Sequence, residues 1–226
     1  MHWIESKIEL LPTIDANSIL KHVEFACRMC YKSHDKITEH SAEKLIKHCL
    51  TAQHESVLEH VQLSFQVVLS RSTLAQWTRH RIASYSVESQ RYCNYTKDKF
   101  SNEITFIKPH WYSQIPFDVE FGSMTDKQKQ IWSMWSTINA AAHEAEENYE
   151  LLINLGAKPE DAREVLPNMT KTEMVWSANL REIRHFIKLR SSHHADPNIR
   201  KLAVQLIAIL QQHGLGILIE DLVEVE

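Results

Sequence analysis

From Val61 to Ser70 the chain keeps a period of two. Val61, Leu63, Phe65, Val67 and Leu69 alternate with Gln62, Ser64, Gln66 and Ser70, and Val68 alone interrupts the pattern. Successive strand side chains point to opposite faces, so this run predicts a strand with one buried and one polar face. Thr73 followed by Gln76 can form a capping box, which predicts a helix from near residue 72 through Arg81. Other segments carry the helical period. Residues 15–31 place Ile19, Leu20, Val23, Phe25 and Ala26 inward, and residues 39–52 place Leu45, Ile46, Cys49 and Leu50 inward. Thr125 with Gln128 opens a long helix that ends near Gly156, with Pro159 beyond. Further helices are expected over 180–192 and 198–213, the second capped by Asp196 with Pro197 in its first turn. Short strands are expected around Ile104, Phe106 and Ile107, and over 171–178. Helices mixed with a few strands, without regular βαβ alternation, predict an α+β fold, here as a single domain over residues 1–226.

Glycine narrows the ligand chemistry. Gly122, Gly156, Gly214 and Gly216 are the complete set, so neither a Gly-x-Gly-x-x-Gly turn nor a glycine-rich phosphate loop can be written. A nucleotide bound here must be held by side chains, chiefly by arginine forks. The net charge of −4 argues against a surface built for nucleic acid, yet the positive charge is concentrated. Arg71, Arg79, Arg81 and Arg91 face only Glu88 within residues 71–91. Arg181, Arg184, Lys188, Arg190, Arg200 and Lys201 face only Glu182 and Asp196 within 181–201. Two basic segments in an acidic chain read as a local anion site or as solvated helix faces. No apolar run approaches the roughly 20 residues of a membrane helix, and no secretory signal is expected from the first residues, which lack a basic region followed by an apolar run. Cys27, Cys30, Cys49 and Cys93 have no framework spacing, so reduced thiols and a cytoplasmic location are expected.

Within the first basic segment, Arg79, His80 and Arg81 are followed, after seven further residues, by Ser89, Gln90 and Arg91. On a helix the triplet would fan over about 200°, which suits one large ligand or two ligands that meet. In the second segment Leu180, Ile183, Phe186 and Ile187 form an apolar stripe with Arg190 near its centre, while Arg181, Arg184 and Lys188 fall on the other side. A guanidinium on a buried face needs an anionic or strongly polar partner, whether a ligand or an internal group.

The pattern Arg-His-Arg, seven residues, Ser resembles the signature of the flavin-dependent thymidylate synthases. Four further elements resemble that family: His54-Glu55-Ser56-Val57-Leu58-Glu59-His60, Ala162-Arg163-Glu164-Val165-Leu166-Pro167, Asn179-Leu180-Arg181 with His185-Phe186 and Arg190, and His194-Ala195-Asp196-Pro197-Asn198-Ile199-Arg200. The resemblance implies an α+β domain with a mainly antiparallel sheet flanked by long helices, assembled as a homotetramer with flavin sites between subunits. It implies an FAD site of Ser56, Arg79, His80, Arg81, Asn179, Arg181 and His185. It implies a dUMP site of Gln76, Arg79, Val87, Glu88, Ser89, Gln90, Arg91, Arg163 and Arg190, with Arg190 as the catalytic residue facing the uracil. The implied reaction is reductive methylation of dUMP to dTMP, with 5,10-methylenetetrahydrofolate as one-carbon donor and FAD reduced by NADPH as hydride source. Ser86-Val87 departs from the polar pair common in that family, which leaves Val87 a backbone contact only.

Three other readings compete. A cysteine-dependent thymidylate synthase would use Cys93, two residues past Arg91, but Cys93 has no proline or glycine-rich context. A metal hydrolase is suggested by His54, His60, His185, His193 and His194, but no His-Glu-x-x-His occurs and Cys27-x-x-Cys30 has no matching second pair. A nucleic-acid binder could stack bases on Trp77, Tyr85, Tyr92 and Tyr95, against the net negative charge. Neither a membrane, a nucleic-acid polymer nor a bound metal is expected.

Overall fold

The computed structural model describes residues 1–11, 15–97 and 103–222. Its strands are β1 (His2–Ile4), β2 (Lys7–Leu11), β3 (Gln62–Ser70), β4 (Ala83–Val87), β5 (Thr105–Ile107) and β6 (Lys171–Asn179). Its helices are α1 (Ala16–Met29), α2 (Ser41–Thr51), α3 (Arg71–Trp77), α4 (Asp126–Asn154), α5 (Pro159–Ala162), α6 (Leu180–Arg190) and α7 (Pro197–Gln212). The fold is α+β. Four strands form one sheet in the order β2-β3-β6-β4, and β1 pairs in parallel with β5. β3 and β6 run antiparallel: the Ser64 and Ser177 hydroxyls meet at 2.7 Å, and the Leu180 amide donates to the Val61 carbonyl. No described helix is long and apolar enough to cross a membrane.

The chain divides into two compact units. The first comprises Met1–Ser6, Val68–Ala75 and Val87–Glu173. Its core gathers Tyr95, Ile104, Phe106, Ala142, Tyr149 and Ala162. The α4 capping box forms as expected, with Gln128 donating its amide to Thr125 Oγ1 and returning its side-chain oxygen to the Thr125 amide. Each bond satisfies an amide that the first helical turn leaves open.

The second unit comprises Lys7–Val67, Gln76–Ser86 and Met174–Glu226. Its centre is a cluster of rings: Trp77 lies 4.3 Å from Phe186 and 5.3 Å from Trp176 between centroids, and Trp176 lies 5.5 Å from Phe65. Asp196 caps α7 through the Asn198 and Ile199 amides, with Pro197 at the first position. Asn179 caps α6 through the Glu182 amide.

Two expectations are corrected. Ser70, not Thr73, stands at the start of α3, its hydroxyl accepting from the Thr73 amide. The helix then ends at Trp77, four residues short of Arg81. Trp77 is fully buried in the ring cluster, and the Tyr85 hydroxyl donates to the His80 carbonyl at 2.6 Å. That carbonyl is thereby engaged by the following strand, and the chain turns into β4 instead of continuing as helix.

Candidate functional site

The turn after α3 sets the first basic triplet. The His80 amide donates to the Trp77 carbonyl at 3.0 Å, a tight bond that closes the helix. Beyond it the backbone is no longer helical, so alternate side chains take opposite directions. His80 points inward and is buried, while Arg79 and Arg81 are exposed on either side of it. The triplet does not fan around a helix.

Both His80 ring nitrogens are engaged. Arg190 Nε donates to His80 Nε2 at 3.0 Å, and His80 Nδ1 lies 3.1 Å from Glu182 Oε1. Burial, then the neighbouring Arg190 and His185, push the His80 pKa down to about 4. The ring is therefore neutral at pH 7. Since Nε2 accepts, the proton sits on Nδ1 and is donated to Glu182. Burial in turn raises the Glu182 pKa, opposed by His185. Arg190, half-buried, has the strongly polar partners its place on the apolar stripe required, because its Nη2 also donates to the Gln76 carbonyl at 3.2 Å.

His80, Glu182 and His185 also bring possible ligand atoms within 4.8 Å of one another, a composition seen at metal sites. The tautomer argues against that use. Arg190 directs an N–H at Nε2, so the lone pair is on Nε2 and Nδ1 carries hydrogen. A metal at Nδ1 would force an N–H on Nε2 against the Arg190 N–H.

Beside this buried row opens a cleft of about 1050 Å³. Asn179, Arg181 and His185 line it, together with Glu59 and Ile82. Clefts of this size accept ligands larger than a mononucleotide. Of the seven residues expected at a flavin, these three line the cleft and His80 lies buried behind Glu182, which lines it too. Ser56, Arg79 and Arg81 are exposed and are not among the lining residues. Arg181 pairs with Glu59.

The cleft rim is tied by Arg184, which is buried and not on the polar face where its helical position predicted it. Its guanidinium takes Glu55 at 2.9 Å and both Asp221 oxygens at 2.7 Å, plus the Leu218 carbonyl. Arg184→Ala is expected to lower stability by about 2 kcal/mol, less than for a fully buried pair because the freed carboxylates reach water. Chemical denaturation of both proteins checks it. Arg184 holds the Asp221 carboxyl below the usual range, so this contribution is full above the unfolded carboxylate pKa. It is lost as pH falls through the lower folded value.

The remaining dUMP candidates belong to the first unit. Val87 closes β4, half-buried. The Glu88 carboxylate is taken by Lys171 Nζ at 2.9 Å and the Tyr95 hydroxyl at 2.8 Å, so it serves as an internal tie. The Ser89 hydroxyl accepts from the Arg91 amide, and the Ser89 carbonyl from the Cys93 amide. Gln90 has a buried side-chain nitrogen, Nε2, with no hydrogen-bond partner among the described residues. Arg91 and Arg163 rest on the nearby carboxylates of Glu160 at 3.1 Å and Glu164 at 3.6 Å. Cys93 packs against the apolar core of this unit, a setting for an inert thiol. Cys27 faces Cys49 at 3.3 Å, its pKa pushed up to about 12 chiefly by burial, which suits packing more than metal binding.

Glu182, Glu59, Ile82 and Arg184 are not among the residues that the resemblance implies for either ligand. Glu182 and His185 share a helix face three residues apart, a signal that was available. Nothing local showed that His80 would meet them.

Comparison with known proteins places the chain in a family and a fold. The family model described as thymidylate synthase complementing protein matches residues 14–213, a span that runs through both units. A flavin-dependent thymidylate synthase of Geobacter sulfurreducens is 33% identical over 196 residues, covering 84% of this chain and 76% of that protein. Another, from Pyrococcus furiosus, is 34% identical over 177 residues, covering 78% of this chain and 65% of that one. Among solved structures, a flavin-dependent thymidylate synthase from Helicobacter pylori complexed with FAD and dUMP superposes with a TM-score of 0.70 at 25% identity, covering 96% of this chain and 100% of that one. A UMP/dUMP methylase from Streptomyces cacaoi bound with 5-Br dUMP shares the fold, with a TM-score of 0.76 at 24% identity over 97% and 96% of the two chains.

Proposed function

Because this chain belongs to the flavin-dependent thymidylate synthase family and is an enzyme of that kind, we propose that it makes dTMP from dUMP by reductive methylation, with 5,10-methylenetetrahydrofolate as carbon donor and NADPH as reductant. The observation that carries this reading is the joining of Asn179, Arg181 and His185 on one cleft whose wall continues, through Glu182 and His80, to Arg190.

The residues of the cleft fit FAD. It is large, partly apolar, and carries Asn179, Arg181 and His185 as polar groups for a ring system and a diphosphate. Ser56, Arg79 and Arg81, exposed on this chain, would complete the site from a neighbouring subunit in a homotetramer. Bound FAD, once reduced, supplies the hydride that turns a C5 methylene into a methyl group.

The chain's own residues do the rest. Arg79, Arg91 and Arg163 are suited to the dUMP phosphate, since guanidinium forks match phosphate geometry. The carboxylates now on Arg91 and Arg163 are weak exposed partners that a dianion can displace. The Ser89 hydroxyl serves as a hydrogen-bonding group to dUMP; Val87 contributes backbone only, and Gln76 and Gln90 supply amide contacts. Arg190, fixed beside the uracil, stabilises negative charge on the ring as C5 becomes nucleophilic. Glu88 supports this segment through Lys171 and Tyr95.

The visible spectrum of the purified protein tests the reading. With FAD added, oxidised-flavin bands should be retained through gel filtration and shift on adding dUMP. A protein that neither retains FAD nor responds to dUMP would remove the proposal.

A further inference from the structure

Resting on the reading of Arg190 as the residue that faces the uracil, we propose that His80 and Glu182 are a positioning couple that aims the Arg190 guanidinium. His80 then acts through Arg190 and touches no ligand itself.

The geometry is directional at each link. The Glu182 carboxylate, buried, can only accept, so it draws the imidazole proton to Nδ1 at 3.1 Å. Nε2 is then an obligate acceptor and meets the Arg190 Nε–H at 3.0 Å. The Gln76 carbonyl takes Nη2 at 3.2 Å. A planar fork held at Nε and Nη2 has its orientation set. Among the described residues Nη1 has no hydrogen-bond partner, and it is the atom left for a substrate oxygen or ring nitrogen.

The surroundings lock the couple in place. Phe186 meets the His80 ring edge-on at 4.9 Å, and His185 lies 5.5 Å from it between centroids. The Tyr85 hydroxyl holds the His80 carbonyl. The charged and titratable groups facing His80 are thus Glu182, His185 and Arg190 from α6, with Tyr85 from β4. A neutral amide at position 182 would still offer Nδ1–H an acceptor; a methyl would not, and the ring could then protonate Nε2 and turn an N–H toward the arginine.

Two measurements test the couple. The first is the nitrogen NMR spectrum of protein labelled in its histidines, with the His80 signals identified by their loss in His80→Gln. At pH 7 the expected pattern is the Nδ1–H tautomer with an accepting Nε2; an Nε2–H tautomer or an imidazolium would overturn the proposal. The second is steady-state kinetics of enzyme with its flavin content measured. Glu182→Ala should lower kcat on the order of 10²-fold while the KM for dUMP stays within a few-fold, and Glu182→Gln should recover most of the loss. Unchanged kcat in flavin-loaded Glu182→Ala, or a loss confined to flavin content or KM, would overturn it. A wild-type protein that makes no dTMP would remove the proposed function instead, and the tautomer would still judge the couple: Nδ1–H supports it, Nε2–H refutes it.

Discussion

Arg190→Ala is expected to retain flavin and to lose dTMP formation, with kcat lower by roughly 10²–10³-fold. The magnitude is that of removing one preorganised donor aimed at developing negative charge. Two bonds hold Arg190 ready, Nε on His80 and Nη2 on the Gln76 carbonyl. A group oriented before the reaction needs no reorganisation during it. The flavin should remain because Asn179, Arg181 and His185 line the cleft and Arg190 does not. Arg190→Lys should recover little, since an ammonium keeps the charge but cannot bridge His80, Gln76 and a ligand with one planar fork. Single-turnover kinetics on enzyme loaded with cofactor separate the chemical step from binding. Full activity in Arg190→Ala would refute the assigned role.

The ring cluster of the second unit carries the other large change. Trp77→Ala should destabilise the protein by about 3–5 kcal/mol, the range for deleting a large buried ring from a close-packed core. Trp77 is fully buried and packs on both Trp176 and Phe186, so the space it leaves is walled by rings of two other elements. Domain stabilities are typically about 5–15 kcal/mol, so the loss is a substantial fraction of the whole. Trp77→Phe should cost less, because part of the ring contact survives. Urea unfolding at fixed protein concentration measures both. A midpoint for Trp77→Ala equal to wild type would show that the ring cluster is not the core of this unit.

What could be read from sequence was local. The Thr125–Gln128 capping box, the Asp196–Pro197 helix start and the alternating run at 61–70 each rest on residues within a few positions, and each is present in the structure. β1 and β5 escaped as a pair because three-residue strands carry little periodicity and their partners lie about a hundred residues apart. The end of α3 was misplaced because the helical pattern runs on to Arg81. What stops the helix is the burial of Trp77 and the bond from Tyr85, neither visible in a window of residues 72–81. At the site, the cofactor-side residues Asn179, Arg181 and His185 came from motif resemblance and share one cleft. Glu182 was passed over because its meaning depends on His80, which comes from 102 positions away. The helical angle of Arg184 predicts the solvent face, whereas the carboxylates of Glu55 and Asp221, themselves reached by water, close over its buried guanidinium.

Product analysis of the purified chain, incubated with dUMP, 5,10-methylenetetrahydrofolate, NADPH and FAD, decides whether the flavin is the reductant. Turning a methylene into a methyl needs two electrons. If a flavin supplies them, the folate leaves at the tetrahydro level; if the folate supplies them, it leaves as dihydrofolate. The expected result is dTMP together with tetrahydrofolate, dependent on both FAD and NADPH. Formation of dTMP with dihydrofolate and without need of flavin, or no dTMP at all, would contradict it.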